Sequence, residues 1–236
     1  MMKLTRANSR TNSSIRETSV IKNFCPNSYG SVLLSMGNTK VICAASVDTT
    51  VPEHAKLANT GWLTAEYTML PYSTNKRTKR EFNKRDGRSV EIQRLIGRSL
   101  RAGIDLSKFQ GFSMFIDCDV VQADGGTRTA SITGGYIAMK LAVERMLAEG
   151  LLPENPLIGN IAAISVGIVD GEILLDLDYS EDSIAEVDMN IVMNHKFELI
   201  EIQGTGEHAP FTIQKMNLMI ETARKGIEEL MLIQNR

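Results

Sequence analysis

The chain has 236 residues, 43% of them hydrophobic and 23% charged, with a formal net charge of −2 and six prolines. That length buries a sizeable core in one large domain or two small ones, and so few prolines leave little room for disordered linkers. No apolar run approaches membrane-spanning length, MMKLTRANSRTNSSIRE lacks the apolar stretch of a signal peptide, and Cys25, Cys43 and Cys118 are too scattered for a disulfide framework or a zinc site; a cytoplasmic chain with buried free thiols and no membrane partner is expected.

In chain order, SVLLSM and KVICAASV around GNT predict a hairpin over 31–47, with Gly37 and Asn38 in the turn. GWLTAEYTML at 61–70 predicts a further strand. In SVEIQRLIGRSLRAGIDL, Ile92, Leu95, Ile96 and Leu100 share one stripe while Arg94, Arg98 and Arg101 fall largely elsewhere, which is helical spacing. FSMFIDCDVV at 112–121 predicts a strand, and TASITGGYIAMKLAVERMLAEG a helix that stops near Gly150. IAAISVGIV and EILLDL flank an Asp-Gly turn at 170–171, SIAEVDMNIVM and KFELIEIQ flank Asn194 and His195, and FTIQKMNLMIETARKGIEELMLIQ closes the chain as a helix. Helices interrupt the strands, so the fold class is mixed, α/β (α+β), and without a repeat or linker signal residues 1–236 are read as one domain. Trp62 reads as a core or interface residue, and His54, His195 and His208 as loop histidines without metal spacing.

The average charge hides a concentration. Residues 76–101 hold ten lysines and arginines against three acids, a net +7, which leaves −9 for the rest. Such a patch is the electrostatic footprint of a phosphate-rich ligand. A solvated helix face accounts for Arg94 and Arg98, but KRTKRE precedes the helix and has no periodic apolar partner.

GGTR at 125–128 lies between a strand and a helix. Two glycines there let successive N–H groups converge on an anion, a helix start adds its dipole, Thr127 offers a hydroxyl and Arg128 a bidentate fork. The simpler reading is a tight turn with Thr127 or Thr129 as helix cap. Arg88 follows Gly87 where the basic loop enters its helix, and is a second candidate for facing an anion.

Downstream, Asp176, Asp178, Glu181, Asp182, Glu186 and Asp188 crowd one segment. From Ala185 it alternates, with Ala185, Val187, Met189 and Ile191 toward a core and Glu186, Asp188 and Asn190 on the other face. That face is either solvent-exposed or a site for a hard cation such as Mg²⁺ or Mn²⁺. Fully extended, Asp182 and Asp188 would lie roughly 20 Å apart, so sharing a site requires a turn near Asp182 and Ser183.

The stretches GNTKVICAASV, GWLTAEYTMLP, RTKRE, GRSVEIQRLIGRSLRAGIDL, DCDVVQADGGTRTASITGGYIA, VGIVDGEILLDLDYSEDSIAEVDMN and IEIQGTGEHAPF together resemble the bacterial ribonuclease PH family, through nearly the whole chain and in order. The resemblance implies a phosphate-dependent 3′-to-5′ exoribonuclease that trims tRNA precursors, acts on other RNA 3′ ends, releases nucleoside diphosphates and runs in reverse. It implies inorganic phosphate as co-substrate, a ribosomal-protein-like fold with mixed sheets and a left-handed βαβ element, and a homohexamer built as a trimer of dimers. By position, Arg88, Gly126, Thr127 and Arg128 match its phosphate-binding residues, Asp182 and Asp188 its catalytic and metal-binding acids, and Arg77 and Arg80 its RNA-binding arginines. With a metal at Asp188, Asp182 is the expected acid for the departing 3′ oxygen. The chain departs from the family at Tyr72, where an arginine is usual, at His208, where glycine is common, and in a basic loop about two residues shorter.

Overall fold

Alternating burial in the first half of the chain and continuous burial in the second distinguish two sheets. A computed structural model describes residues 6, 9–80, 86–208 and 210–235. Strands β1 (Thr18–Lys22), β2 (Gly30–Met36), β3 (Thr39–Asp48), β4 (Trp62–Met69) and β5 (Ser113–Gln122) form a five-stranded sheet in the order β1-β2-β3-β5-β4. Its pairs are antiparallel except β4 and β5, the parallel pair of a βαβ unit whose crossover carries α2 (Gly87–Arg101). Strands β6 (Ile161–Val169), β7 (Glu172–Leu175), β8 (Val187–Asn194) and β9 (Leu199–Gly206) form an antiparallel sheet in the order β7-β6-β8-β9.

Helix α3 (Thr127–Ala148) contacts β2, β3 and β5 on one side and β6 on the other. Its sequence explains the placement. Thr129 through Met139 are all buried, and a helix that is apolar or small on every face must be covered on every face. At Gly134 a Cβ would sit 2.8 Å from Cys43 Sγ, so glycine lets the helix approach the first sheet closely. Helix α5 (Ile213–Gln234) covers the other face of the second sheet, against β6, β7 and β8. Strand β6 is therefore buried at all nine positions, whereas β3 and β5 alternate. One cluster of buried apolar side chains draws on both sheets and on α2, α3 and α5.

Several local features differ from the sequence reading. Strand β1, the short helices α1 (Glu53–Leu57) and α4 (Tyr179–Asp182), and a 3₁₀ turn at Leu106–Phe109 carry no clear period and went unpredicted. His54 lies in α1, its ring edge-on to Trp62 at 4.5 Å, so it is not a loop residue. EILLDL pairs only to Leu175, because Asp176 turns to φ +54°. Cys43 and Cys118 are buried as expected, but Cys25, in the turn before β2, is only half-buried. Part of the basic loop, 81–85, lies outside the described residues.

Candidate active site

The turn required between Asp182 and Asp188 is present. Helix α4 ends at Asp182, Ser183 caps it, and β8 starts at Val187. Asp178 caps α4 by accepting from Glu181 N, while Glu181 Oε2 accepts from Asp178 N at 3.1 Å, a reciprocal capping box. Asp182 and Asp188 thereby come within mutual electrostatic reach. Burial, then the charge of Asp182, pushes the Asp188 carboxyl up to about 6. Burial also raises Asp182, against the pull of Arg88 and Arg128.

The other acids of this segment have different partners. Arg16 and Asp176 form a buried ion pair, with Nη2 to Oδ1 at 2.6 Å and Nε to Oδ2 at 3.0 Å, and the Arg16 backbone N–H donates to Oδ2 at 2.7 Å. Arg6 donates to both Glu181 oxygens, at 2.7 and 2.9 Å, and Arg10 Nη2 reaches Glu181 at 3.3 Å and Asp178 at 3.6 Å. Asp176, Asp178 and Glu181 are thus committed to N-terminal arginines and hold α4 in place. Glu186 accepts from Gly171 N, and of the polar face on β8 Asn190 is buried rather than solvent-facing.

Arg16 also shapes the loop before α3. Its Nη1 donates to Asp124 O at 2.5 Å and to Gly125 O at 3.4 Å, and Thr39 Oγ1 donates to Gly125 O at 2.7 Å. In a trans peptide the N–H points opposite the carbonyl. With the Asp124 and Gly125 carbonyls drawn toward Arg16 and Thr39, the N–H groups of Gly125 and Gly126 face away, and neither has a backbone or side-chain partner among the described residues. Gly125 and Gly126 both take left-handed φ, +74° and +62°, and a Cβ on Gly125 would sit 2.5 Å from Leu177 O. The loop therefore lies directly against the start of the acidic turn, a contact only glycine permits.

Gly126 itself caps α3, without a side-chain cap bond, so neither Thr127 nor Thr129 is the cap. Thr127 is the first helical residue, and its Oγ1 lies 2.9 Å from Tyr67 Oη on β4. Arg128 Nη1 donates to Gln203 on β9 at 2.9 Å and lies 3.8 Å from Glu91 on α2, so its fork is aimed from three elements. Arg88 stands in the first turn of α2, which Asp86 caps, with its side chain exposed. Arg77 and Arg80 are exposed on the segment after β4, anchored by Thr78 Oγ1 donating to Leu70 O and by Ala123 N donating to Ser73 O. Arg98 and Arg101 point elsewhere, Arg98 to Glu201 at 2.8 Å and Arg101 over the Trp62 ring. The basic window is therefore divided between two surfaces.

The structure thus gathers Arg88, Gly126, Thr127, Arg128, Asp182 and Asp188 in one region. Arg16, Tyr67 and Gln203 were not singled out from the sequence, since a lone arginine, a tyrosine inside an apolar run and a glutamine in a strand carry no spacing signal. Among the described residues no group of three or more His, Cys, Asp or Glu is arranged to hold a metal, so a cation here would rely on the two aspartates.

Models of the 3′ exoribonuclease family match the chain twice, domain 1 over residues 14–143 and domain 2 over 159–226. The chain belongs to the 3′ exoribonuclease family. Members similar to it include a protein named ribonuclease PH from Neisseria meningitidis, 52% identical over 225 residues, 94% of this chain and 93% of that one. Another ribonuclease PH, from Corynebacterium kroppenstedtii, is 49% identical over 236 residues, covering 99% and 93%. Among solved structures, the Archaeoglobus fulgidus exosome with RNA bound to the active site superposes with a TM-score of 0.80 at 20% identity, over 95% of this chain and 91% of that chain. Rice Rrp46 gives 0.77 at 18%, over 98% of each. At such identities these structures establish the fold of this family member. No helix among the described residues is long and apolar enough to cross a membrane.

Three variants test this site. The raised Asp188 carboxyl means that the folded chain disfavours the charged form: the cost is absent below the unfolded value of about 4, grows as pH rises through about 6, and is constant above. In metal-free buffer the unfolding free energy of Asp188→Asn should therefore rise above that of the parent between those values and level off by neutrality, at a gain of roughly 1–3 kcal/mol. A difference independent of pH would exclude it. Asp176→Ala strands Arg16 and should cost about 3–5 kcal/mol in urea unfolding. Replacing Arg16 and Asp176 together with apolar residues should restore much of that stability but not the loop geometry, because the Asp124 carbonyl loses its donor and the Gly125 carbonyl keeps only Thr39.

Proposed function

We propose that the chain is a phosphate-dependent 3′-to-5′ exoribonuclease that trims the 3′ trailing nucleotides of tRNA precursors in the cytoplasm, releases nucleoside diphosphates, and runs in reverse when diphosphates are plentiful. One observation carries the reading: a glycine-led helix start with two arginines nearby abuts a turn that carries paired carboxylates. Family membership supplies the reaction class, and the relatives at about half identity are named ribonuclease PH.

In this reading phosphate is bound by the Gly125 and Gly126 N–H groups, the Thr127 hydroxyl, and the Arg128 and Arg88 guanidiniums. Binding both nucleophile and RNA against their mutual repulsion is the main task, since phosphoryl transfer asks for positioning and charge stabilisation more than covalent chemistry. A phosphate oxygen attacks the phosphorus of the last phosphodiester, the bond to the 3′ oxygen of the penultimate nucleotide breaks, and that oxygen takes a proton from Asp182. Burial, which raises Asp182, favours its carrying that proton. Arg77 and Arg80 are assigned to the RNA backbone upstream.

The two aspartates fit a divalent cation. A hard ion such as Mg²⁺ or Mn²⁺ takes one or two carboxylates together with waters and phosphate oxygens, and it would offset both the burial and the Asp182 charge that together lift Asp188 to about 6. Held by Asp188, with Asp182 beside it keeping its proton for the departing oxygen, such a cation would supply charge neutralisation at the scissile phosphoryl group. The whole chain is read as one working domain, since a single apolar cluster joins the segments matched as domains 1 and 2. The working assembly is read as a homohexamer, a trimer of dimers.

The deciding experiment incubates the chain with Mg²⁺ and a tRNA bearing a short 3′ tail, with and without inorganic phosphate. Diphosphates appearing only with phosphate are expected; monophosphates without phosphate would mean hydrolysis, and no release from folded protein would mean an RNA-binding subunit. Arg128→Ala should raise the phosphate requirement on the order of tenfold or more, the loss of a charge-assisted contact. A solution mass of one 26.1 kDa chain under active conditions would overturn the ring.

A further inference from the structure

Among the buried polar atoms that the reaction so described leaves without a task is the phenol oxygen of Tyr67. Its residue sits on β4, level with Cys118 of β5, with only 4% of its surface exposed and its ring in the core. A tyrosine buried this far keeps its hydroxyl satisfied. The only hydrogen bond resolved for this hydroxyl among the described residues runs not to a backbone carbonyl but to Thr127 Oγ1, at 2.9 Å. The phenol also lies within the fields of Arg88 and Arg128, the two guanidiniums assigned to phosphate.

We infer that Tyr67 is a positioning residue for the phosphate nucleophile: its hydroxyl donates to Thr127 Oγ1 and leaves the threonine proton directed at the anion. The inference rests on the phosphorolytic reading above. Threonine within a helix splits between two rotamers because its hydroxyl can bond the carbonyl three or four residues back. Ser131 makes such a bond to Thr127 O, at 2.8 Å, and Thr129 to Gly126 O, at 2.9 Å. Thr127 opens the helix, has no helical carbonyl behind it, and takes its orientation from Tyr67 instead. Proton direction follows from the ligand. An unprotonated phosphate oxygen accepts only, so a threonine that spent its single proton on Tyr67 would present lone pairs to the charged oxygens of the anion. The favourable chain runs from phenol to threonine to phosphate, each bond polarising the next.

Tyr67→Phe keeps the ring and removes only the hydroxyl. With tailed tRNA, Mg²⁺ and varied inorganic phosphate, the variant should raise the KM for phosphate about 3- to 10-fold, the scale of one hydrogen bond. The kcat at saturating phosphate, the KM for RNA and the melting temperature should stay close to the parent. Thr127→Val should raise the phosphate KM, and adding Tyr67→Phe to it should do no further harm, whereas Thr127→Ser, which keeps the hydroxyl, should raise it less than Thr127→Val does. An unchanged phosphate KM in Tyr67→Phe, equal shifts in the RNA and phosphate KM, or additive effects of the two substitutions would overturn the inference. Should Tyr67→Phe not fold, an effect of Thr127→Ser as large as that of Thr127→Val would overturn it. Calorimetric titration with inorganic phosphate separates the two levels. A parent that neither binds phosphate nor needs it overturns the phosphorolytic reading, whereas a parent that does both while Tyr67→Phe binds equally well overturns the role of Tyr67 alone.

Discussion

The site depends on one buried ion pair. Arg16, ahead of the first strand, closes on Asp176 across 160 positions of sequence and at the same time holds the carbonyls of Asp124 and Gly125. A guanidinium can do this because its planar fork offers five donors in fixed directions, enough to grip a carboxylate and still reach two carbonyls. Both side chains are out of water, so the arrangement tolerates no loose partner, and removal of either leaves an uncompensated charge. Through that one residue the glycine loop of the first half of the chain is tied to the acidic turn of the second.

The same two pieces are set by the layer order. Helix α3 is covered by both sheets, so its N-terminal end emerges between them, where β4, α2, α4, β8 and β9 can all reach it. Arg128 is held by Gln203 from one sheet and Glu91 from the crossover helix of the other, and Thr127 by Tyr67. Positive ends meet negative side chains there by construction: the helix dipole and two arginines stand opposite Asp182 and Asp188, which burial alone would drive toward neutrality. The arrangement costs stability in the metal-free chain, a cost that the proposed phosphate and cation would offset together.

Elements with a strong period were legible in the sequence. The stripe of Ile92, Leu95, Ile96 and Leu100 is the buried face of α2, the hairpin turns at Gly37, and α3 stops just before Gly150. Short elements were not: α4 has four residues, and its capping box reads in sequence as one more pair in a run of acids. The run looked like a single acidic group. Packing separates it into anchors, Asp176, Asp178 and Glu181, each committed to an arginine from the N-terminus, and the pair left facing Arg88 and Arg128.

By itself the sequence determined the alternation of strands and helices, the position of GGTR at a strand-to-helix junction, and the concentration of positive charge before α2. These are local matters, decided by periodicity, by glycine and by residue type within a few positions of one another. Only the tertiary structure decided that Gly125 touches Leu177, that Arg16 turns two carbonyls away from the site, that Tyr67 meets Thr127, and that Arg98 and Arg101 leave the basic patch for another surface. Each of those contacts joins residues tens to more than a hundred positions apart, and no spacing rule along a chain encodes which side chains two packed sheets will bring to the end of the helix between them.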